Sequence, residues 1–211
     1  MTTIVITGTG TEVGKTYVTS AVLRTLRERG VPAHGRKPVQ SFLTGDPTTD
    51  ADELAAAGDE PVDRVCPPHR RLPTPMAPPM AAAALGLPGF TIADLVAEIA
   101  PGPGLALVEG AGGLLSPLAD DGDTLDLVTA LAPAAVVLIA DAGLGTINLV
   151  RLSCAALGTD RTVIVYLNRF DPAHDLHVRN RDWLRTREGL GIVTDPEALA
   201  EELAALSRAG G

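Results

Sequence analysis

The sequence predicts an α/β fold, with a mostly parallel sheet and helices on both faces, and two observations support it. Four short apolar runs, at residues 3–7, 105–108, 134–140 and 162–167, each end in glycine or polar residues. Near-continuous apolar strands of this kind are typical of parallel sheets that are covered on both faces. A helical pattern also separates the first run from an extended segment at residues 33–39, which gives the strand–helix–strand unit that joins parallel strands.

The first strand and helix follow from the N-terminal sequence. Residues 3–7 form a β-branched run that is typical of a buried strand. After a glycine-rich turn, Val18, Val22 and Leu26 recur at a spacing of four, which places them on one face of a helix. We expect this helix to run to about Arg29.

The next segments alternate between extended, helical and irregular patterns. The second strand should cover residues 33–39 and carry Lys37 near its end, and residues 50–57 predict a short helix. Eight of the 28 residues in 61–88 are proline, which excludes regular strand over most of that segment. We interpret it as an irregular lid or binding segment with a small alanine-rich helix near 80–85. An acidic helix is predicted at 195–207.

The composition predicts one globular domain over residues 1–211. Hydrophobic residues make up 45% of the chain, which is enough for a core and excludes a disordered protein. No run reaches the ~18 apolar residues of a membrane span, and the N-terminus lacks a signal-peptide pattern. The net charge of −9 repels phosphate backbones, and two cysteines are too few for a disulfide framework. We therefore expect a cytoplasmic protein that binds neither nucleic acid nor membranes.

The basic residues are distributed unevenly between arginine and lysine. Of the 17 basic residues, only Lys15 and Lys37 are lysine. An ammonium group is a compact point charge, whereas a guanidinium group is a planar fork. We predict that these two positions need the point charge.

A phosphate-binding loop is predicted between the first strand and helix. Gly8 to Thr16 reads Gly-Thr-Gly-Thr-Glu-Val-Gly-Lys-Thr, and its Gly-Lys-Thr ending matches the Walker A motif of P-loop NTPases. In that motif backbone N–H groups surround phosphates at a helix N-terminus, the lysine reaches the β- and γ-phosphates, and the hydroxyl binds Mg²⁺. Five residues separate Gly8 from Gly14 instead of four, and counting from Thr9 restores the spacing without the first glycine.

Two further charged residues are expected beside this loop. Glu109 closes an apolar strand, where a second acidic residue would meet Mg²⁺. Gly112 and Gly113 follow it and allow the backbone to approach a ligand closely. Lys37 precedes Pro38, which favours an extended conformation for it, so its ammonium group should reach the same edge of the sheet.

Taken together, four motifs resemble the dethiobiotin synthetase family. These are Thr7 to Thr16, Lys37-Pro38-Val39 with Ser41, Val108-Glu109-Gly110-Ala111-Gly112-Gly113, and Gly145-Thr146-Ile147-Asn148. Their order and spacing match over residues 3–168, about four-fifths of the chain. The resemblance implies a homodimeric C–N ligase of biotin synthesis. It would use ATP, Mg²⁺ and CO₂ to close a ureido ring on 7,8-diaminopelargonic acid, through a carbamate and a carbamic–phosphoric anhydride.

The resemblance also implies roles for individual residues. It places Lys37, Lys15 and Thr11 in catalysis, and Thr11, Lys37 and Ser41 at the substrate. The loop Pro75-Met76-Ala77-Pro78 would lie on the substrate side. The metal ligands would be Thr16, Glu109 and an acidic residue near position 50. The nucleotide would contact Glu12, Val13, Gly14, Lys15, Thr16, Tyr17, Asp50, Glu109, Gly110, Ala111, Gly112 and, at the base, Asn168.

Two points stay open within this assignment. Asp50 fits the family frame for the metal-side acid, because Ala51 and Leu54 follow at apolar positions, whereas Asp52 is the poorer alternative. After Asn168 the family's Gly-x-Ile-Pro element is present only as residues 191–193, without the proline. The base contacts and the base preference are therefore left open.

Proteins of other classes fit the sequence less well. Partitioning and Mrp-like regulatory ATPases carry a signature lysine in the loop where this chain has Gly10, and some carry a basic membrane-binding tail where this one is acidic. Amidoligases of the cobyrinic acid type usually add a glutaminase domain, for which 211 residues leave no room. A binding module with an inactive P-loop is the remaining alternative.

Overall fold

A computed structural model describes residues 2–209 of the chain, and its elements are strands and helices in mixed order. The strands are β1 (Thr2–Gly8), β2 (Ala33–Arg36), β3 (Gln40–Ser41), β4 (Arg71–Leu72), β5 (Leu105–Glu109), β6 (Pro117–Ala119), β7 (Gly122–Asp123), β8 (Ala135–Asp141), β9 (Val163–Asn168) and β10 (Gly191–Val193). The α-helices are α1 (Lys15–Glu28), α2 (Asp50–Gly58), α3 (Val62–Val65), α4 (Pro78–Ala84), α5 (Ile92–Ala97), α6 (Thr124–Leu131), α7 (Thr146–Leu157), α8 (Asp175–Thr186) and α9 (Pro196–Ala209).

Six strands form one parallel sheet in the order β10-β9-β8-β1-β5-β2. The central strand β1 pairs on both sides, with Ile4 opposite Leu107 of β5 and Ala135 of β8. Two short two-stranded pairs, β3-β4 and β6-β7, lie outside it. The predicted parallel sheet is confirmed.

Helices cover both faces of the sheet, as predicted. Ile4 and Ile6 of β1 belong to a core cluster with apolar residues of α1, α2 and α9. Val5, which points to the opposite face, packs in a second cluster with residues of α4, α5 and α6. A third cluster joins β8 and β9 to α7 and α8, through Val150 and Leu184. Because all six strands are parallel, their carboxyl ends meet at one edge, where ligands bind in such sheets.

The second strand differs from its predicted bounds. It ends at Arg36 instead of residue 39, so Lys37 lies just beyond it. The Lys37 N–H donates to the Val65 carbonyl 2.8 Å away, outside the sheet, and Pro38 has no N–H to continue the ladder. The chain therefore leaves the sheet at the residue whose side chain enters the site.

The proline-rich segment is irregular, as expected, but contains more local structure than the sequence predicts. It holds α3, a 3₁₀ turn at Pro68–Arg70, the two residues of β4, and α4 at Pro78–Ala84 instead of 80–85. Within the described residues 2–209, no helix combines the length and the apolar character that crossing a membrane requires.

Candidate active site

A cleft of about 800 Å³ opens at the carboxyl edge of the sheet. It brings together many of the residues predicted for the site. Those lining it are Thr11, Glu12, Gly14, Lys15, Thr16, Tyr17, Lys37, Ser41, Asp50, Ala111 and Gly112, together with the loop Pro75–Pro78. Val13, Glu109, Gly110 and Asn168 do not line it, and of these Glu109 and Asn168 are buried.

The glycine-rich loop has the backbone shape of an anion site. Glu12 and Gly14 adopt left-handed φ angles of 60° and 92°, and Gly14 precedes the first residue of α1. A Cβ atom at Gly14 would lie 2.1 Å from Asn168 Nδ2, so no larger residue fits there. Gly14, Lys15 and Thr16 line the cleft, so the first turn of α1, whose N–H groups have no partner within the helix, borders it as anion binding requires.

Lys15 lies across this loop and is only 7% exposed. Its ammonium group donates to the Gly10 carbonyl oxygen 3.2 Å away. Burial and the nearby Lys37 lower the pKa of Lys15, and Glu109 opposes the shift. The hydrogen-bond partner of this ammonium group is a neutral carbonyl, so a phosphate bound in the loop would give it an anionic partner.

Lys37 is 1% exposed and donates to three acceptors. Its Nζ lies 2.7 Å from Glu109 Oε1, 2.7 Å from Asp50 Oδ2 and 3.2 Å from the Gly110 carbonyl oxygen. Burial acts to lower the pKa of Lys37, but the two carboxylates outweigh it and raise that pKa above its ordinary value. Lys37 is therefore a fixed cation at the centre of the site.

Glu109 is fully buried behind Lys37 and α1. The Thr16 hydroxyl donates to its Oε1 at 2.7 Å, and the Thr19 hydroxyl lies 2.9 Å from its Oε2. Thr19 is one helical turn after Thr16, so both hydroxyl groups lie on the same face of α1. The carboxylate is held at both oxygens by α1.

Asp50 is the first residue of α2, and its Oδ2 is the second carboxylate oxygen in contact with Lys37 Nζ. The pKa of its carboxyl group is lowered, because Lys37 and the Thr16 hydroxyl outweigh the effect of burial. Asp52 instead forms a capping box with Thr49, in which its Oδ2 accepts from the Thr49 N–H at 2.9 Å. The first turn of α2 therefore separates the two acids that the sequence left as alternatives, with Asp50 in the site and Asp52 in the helix cap.

Gln40 anchors this turn of α2 and is a residue that sequence reasoning missed. It is 2% exposed, its Oε1 accepts from the Ala51 N–H at 2.9 Å, and its Nε2 lies 3.0 Å from Thr49 Oγ1. No local pattern in the sequence indicates this role. Thr19 was also missed, although its spacing from Thr16 could have indicated it.

The donors around Lys37 suit a magnesium ion. Thr16, Asp50 and Glu109 supply one hydroxyl and two carboxylate groups, the hard oxygen ligands that Mg²⁺ prefers beside phosphates and water. Thr16 contacts both acids, so the three side chains converge at one place. The same carboxylates already surround a cation, the Lys37 ammonium group.

The remaining predicted residues lie around the cleft or behind it. The Ser41 hydroxyl donates to the Met76 carbonyl oxygen, which ties the end of β3 to the loop Pro75–Pro78. Asn168 is 6% exposed, and its amide donates to the Val13 carbonyl oxygen at 2.9 Å. The observed contact of Asn168 is thus with the phosphate loop, and its contact with a base stays a prediction.

Comparisons of the sequence with known proteins agree on one family. A family model described as an AAA domain matches residues 2–194. The chain is 43% identical to the ATP-dependent dethiobiotin synthetase BioD of an Anaeromyxobacter species, over 72% of this chain and 69% of that protein. It is 38% identical to the protein of the same name from Xanthomonas euvesicatoria, over 86% of this chain and 84% of that protein.

Comparisons of the fold reach more distant proteins. A plasmid partition protein from Borrelia burgdorferi bound to AMPPNP matches with a TM-score of 0.55 and 12% identity, over 100% of this chain and 99% of that one. The signal recognition particle receptor FtsY from Elizabethkingia anophelis matches with a TM-score of 0.52 and 17% identity, over 97% of this chain and 64% of that one. At these identities the likeness shows a shared fold alone.

The family assignment rests on the sequence matches and agrees with the motifs of the cleft. Two relatives that are 43% and 38% identical to this chain, each covered over more than two thirds of its length, carry the same name. The phosphate loop, Lys37 with Ser41, and Ala111-Gly112 after Glu109 meet at the cleft of this chain. The chain belongs to the ATP-dependent dethiobiotin synthetases, a family of ligases that form C–N bonds in biotin biosynthesis.

Proposed function

We propose that this chain converts 7,8-diaminopelargonic acid, CO₂ and ATP into dethiobiotin, ADP and phosphate, with Mg²⁺. The relatives named above support the overall reaction. The observation that supports the same reaction in this chain is the position of Lys37. It is a buried cation held by Glu109 and Asp50 beside the predicted phosphate-binding loop.

The reaction develops negative charge on oxygen at each step. One substrate amine adds to CO₂ and loses a proton, which gives a carbamate. A carbamate oxygen attacks the γ-phosphorus of ATP, and ADP leaves. The second amine then attacks the carbonyl carbon of this anhydride, loses a proton and expels phosphate, which closes the ureido ring. Lys15 and Lys37 are placed to stabilise these charges by preorganised electrostatics, so no nucleophilic side chain is required.

The nucleotide would occupy the phosphate loop and the start of α1. Backbone N–H groups of residues 12–17 would bind the phosphates, and Lys15 would exchange the Gly10 carbonyl for a phosphate oxygen. Ala111 and Gly112, shortly after the end of β5, line the same cleft, and Gly110 would contact the nucleotide from beside them. The proposal places Asn168 near the base, in addition to its bond with Val13.

The metal would be held by Thr16, Asp50 and Glu109, as the donor set indicates. When bound, Mg²⁺ neutralises charge on the β- and γ-phosphates. Thr16 and Glu109 are already joined by a hydrogen bond, and the Lys37 ammonium group contacts both carboxylates and keeps them close together.

The substrate would lie between Lys37, Thr11 and Ser41, under the loop Pro75–Pro78. We propose that the active form is a cytoplasmic homodimer, with one domain per chain and the substrate bound across the dimer. Exposed leucines before and within α7 support a dimer, because Leu144, two residues before the helix, is 91% exposed and Leu152, in its middle, is 62% exposed.

A substrate-dependent ATPase assay tests the function. ATP consumption is measured with diaminopelargonate and bicarbonate together and with each omitted, and the mass of the product is checked. We expect phosphate release only with both, with dethiobiotin in equal amount. ATP consumption that is independent of diaminopelargonate would contradict the proposal and favour a regulatory ATPase.

A further inference from the structure

We propose that Arg169, held by Asp141, is a positioning residue that fixes the phosphate loop for nucleotide binding. The inference rests on the nucleotide site of the proposed function. It concerns the residue that follows β9, at the side of the loop opposite Lys37.

Two consecutive residues after β9 hold two consecutive carbonyl groups of the loop. The Asn168 amide donates to the Val13 carbonyl oxygen at 2.9 Å, and Arg169 Nη2 donates to the Glu12 carbonyl oxygen at 3.0 Å. Arg169 Nη1 also lies 2.8 Å from Asp141 Oδ2. The guanidinium group thus bridges the end of β8 and the loop.

The position of these carbonyl groups matters for phosphate binding. A loop that binds an anion presents its N–H groups to the ligand, and a carbonyl oxygen turned toward the phosphates would repel them. The left-handed φ angles at Glu12 and Gly14 allow the peptide units to turn in this way. Donors on the outer side of the loop then keep the carbonyl groups of Glu12 and Val13 facing away from the cleft.

Asp141 holds Arg169 from the neighbouring strand. It stands opposite Asn168 in the β8–β9 register, and its Oδ1 accepts from the Gly143 N–H at 2.8 Å. The Arg169 guanidinium, with help from that N–H, lowers the pKa of Asp141. The carboxylate is therefore charged near neutral pH and keeps the guanidinium group oriented toward the loop.

The backbone of Arg169 is itself unusual. Its φ angle is 56°, in the left-handed region that residues other than glycine, asparagine and aspartate rarely adopt. Unfavourable backbone angles of this kind are retained where the surrounding structure needs the geometry. Only a guanidinium group offers two donors in a fixed fork that reaches both acceptors.

The main variant is Arg169→Asn, because asparagine tolerates a left-handed φ and lacks the cation. Calorimetric titration with a non-hydrolysable ATP analogue and Mg²⁺ should show binding weakened about three- to fivefold, as expected for an exposed hydrogen bond from a charged donor. Turnover at saturating ATP should stay within about twofold. Arg169→Lys should restore part of the affinity, because one ammonium group reaches one acceptor at a time.

Two further variants separate the inference from a general effect of charge. Arg179→Asn is the matched control, since Arg179 forms an exposed ion pair with Asp175 within α8, and it should bind the analogue as the wild type does. Asp141→Asn should weaken binding less than Arg169→Asn, and the double variant should add nothing to Arg169→Asn alone.

Unchanged affinity in Arg169→Asn, or an equal loss in Arg179→Asn, would overturn the inference. If Arg169→Asn does not fold, Arg169→Lys decides in its place, and wild-type affinity there overturns it. Because the titration contains the ATP analogue and Mg²⁺ but no diaminopelargonate, it stays informative even if the chain makes no dethiobiotin. A failure of the proposed function and a failure of this inference are therefore distinguishable.

Discussion

Lys37 shows at the scale of one residue why this site contains lysine in a chain that otherwise uses arginine. Lys37 is 1% exposed, and its three ammonium protons match three acceptors, on Glu109, Asp50 and Gly110. A planar guanidinium group is larger and cannot donate to three converging oxygens from one atom. The structure thus gives a physical reason for the lysine that the sequence alone suggested.

The first prediction concerns the two lysines. Lys15→Ala and Lys37→Ala should each reduce turnover by roughly 10²–10³-fold, the effect of losing one preorganised charge donor. Lys15→Ala should also weaken nucleotide binding, because Lys15 lies on the phosphate loop. Lys37→Arg should stay impaired, and Arg24→Ala on the exposed side of α1 is the control. Steady-state kinetics check this, and a fully active Lys37→Arg would contradict the point-charge interpretation.

The second prediction concerns Glu109. Glu109→Gln keeps the size of the side chain but removes the negative charge of a proposed metal ligand. The Mg²⁺ concentration needed for half-maximal turnover should therefore rise strongly. The amide oxygen can take the place of Oε1 and accept from Thr16. The amide NH₂ can take the place of Oε2 and donate to the Thr19 hydroxyl, which still donates to the Lys15 carbonyl oxygen, so the fold should remain intact. Magnesium titrations of turnover and of nucleotide binding measure the effect, with circular dichroism as the check on folding. An unchanged Mg²⁺ titration would contradict the metal role of Glu109 and leave it a structural role as the partner of Lys37.

At the scale of an element, the first turn of α2 divides two neighbouring acids between two tasks. Asp50 lies 2.7 Å from Lys37, whereas Asp52 closes the capping box with Thr49. We predict that Asp50→Asn impairs ATP turnover and raises the Mg²⁺ requirement with little change in melting temperature. Asp52→Asn should lower the stability by about 0.3–1 kcal/mol, because Asp52 is the third residue of the helix and its negative charge near the helix N-terminus is lost while the Thr49 cap remains, and it should leave the metal titration unchanged. If only Asp52→Asn alters the titration, the assignment of the acid is wrong by two positions.

Among the predicted elements, β1, β5, β8 and β9 have an uninterrupted apolar run and α1 has a clear apolar period, so their own residues indicate what they bury. Weaker patterns predicted β2, α2, α4 and the acidic helix α9, and the bounds of β2 and α4 differ from the prediction. The helix α8 was not predicted. Its sequence is mostly polar, and only Asn180 and Leu184 are buried along its 12 residues. Such a helix depends on its packing against the sheet, which local sequence does not show.

The site divides in the same way. The phosphate loop, Lys37 and Glu109 were predicted because each joins a chemically specific residue to the end of a strand. Gln40 could not be predicted, since its two hydrogen bonds depend on where α2 begins in space. Its effect on Asp50 exists only in the folded chain.

At the scale of the whole molecule, the fold does not determine the function. A plasmid partition protein shares the fold at 12% identity, and partitioning ATPases were the alternative that the sequence left open. What separates the two is local, namely Gly10 in the loop and the family motifs around Lys37 and Glu109. A parallel sheet supplies the edge, and the residues placed on that edge determine the chemistry.

The last prediction concerns the assembly of two chains. The helix α7 was not predicted from its pattern, because its apolar residues extend around the helix instead of forming one stripe. Val150 is buried against the sheet, but Leu149 and Leu152 are 44% and 62% exposed and follow the 91% exposed Leu144. A helix that is apolar on two faces is normally covered on both, so we expect a second copy of this chain to cover these leucines.

Sedimentation of the wild type should show a dimer, and Leu149→Glu should shift it to a monomer, because a charge buried at an interface without a partner is costly. Leu87→Glu is the matched control, since Leu87 is also 44% exposed but lies beyond α4, and it should leave the dimer intact. If the substrate is bound across the dimer, Leu149→Glu should lose dethiobiotin formation yet still bind nucleotide. A wild type that sediments as a monomer, or a monomeric variant with full turnover, would show that one chain completes the site by itself.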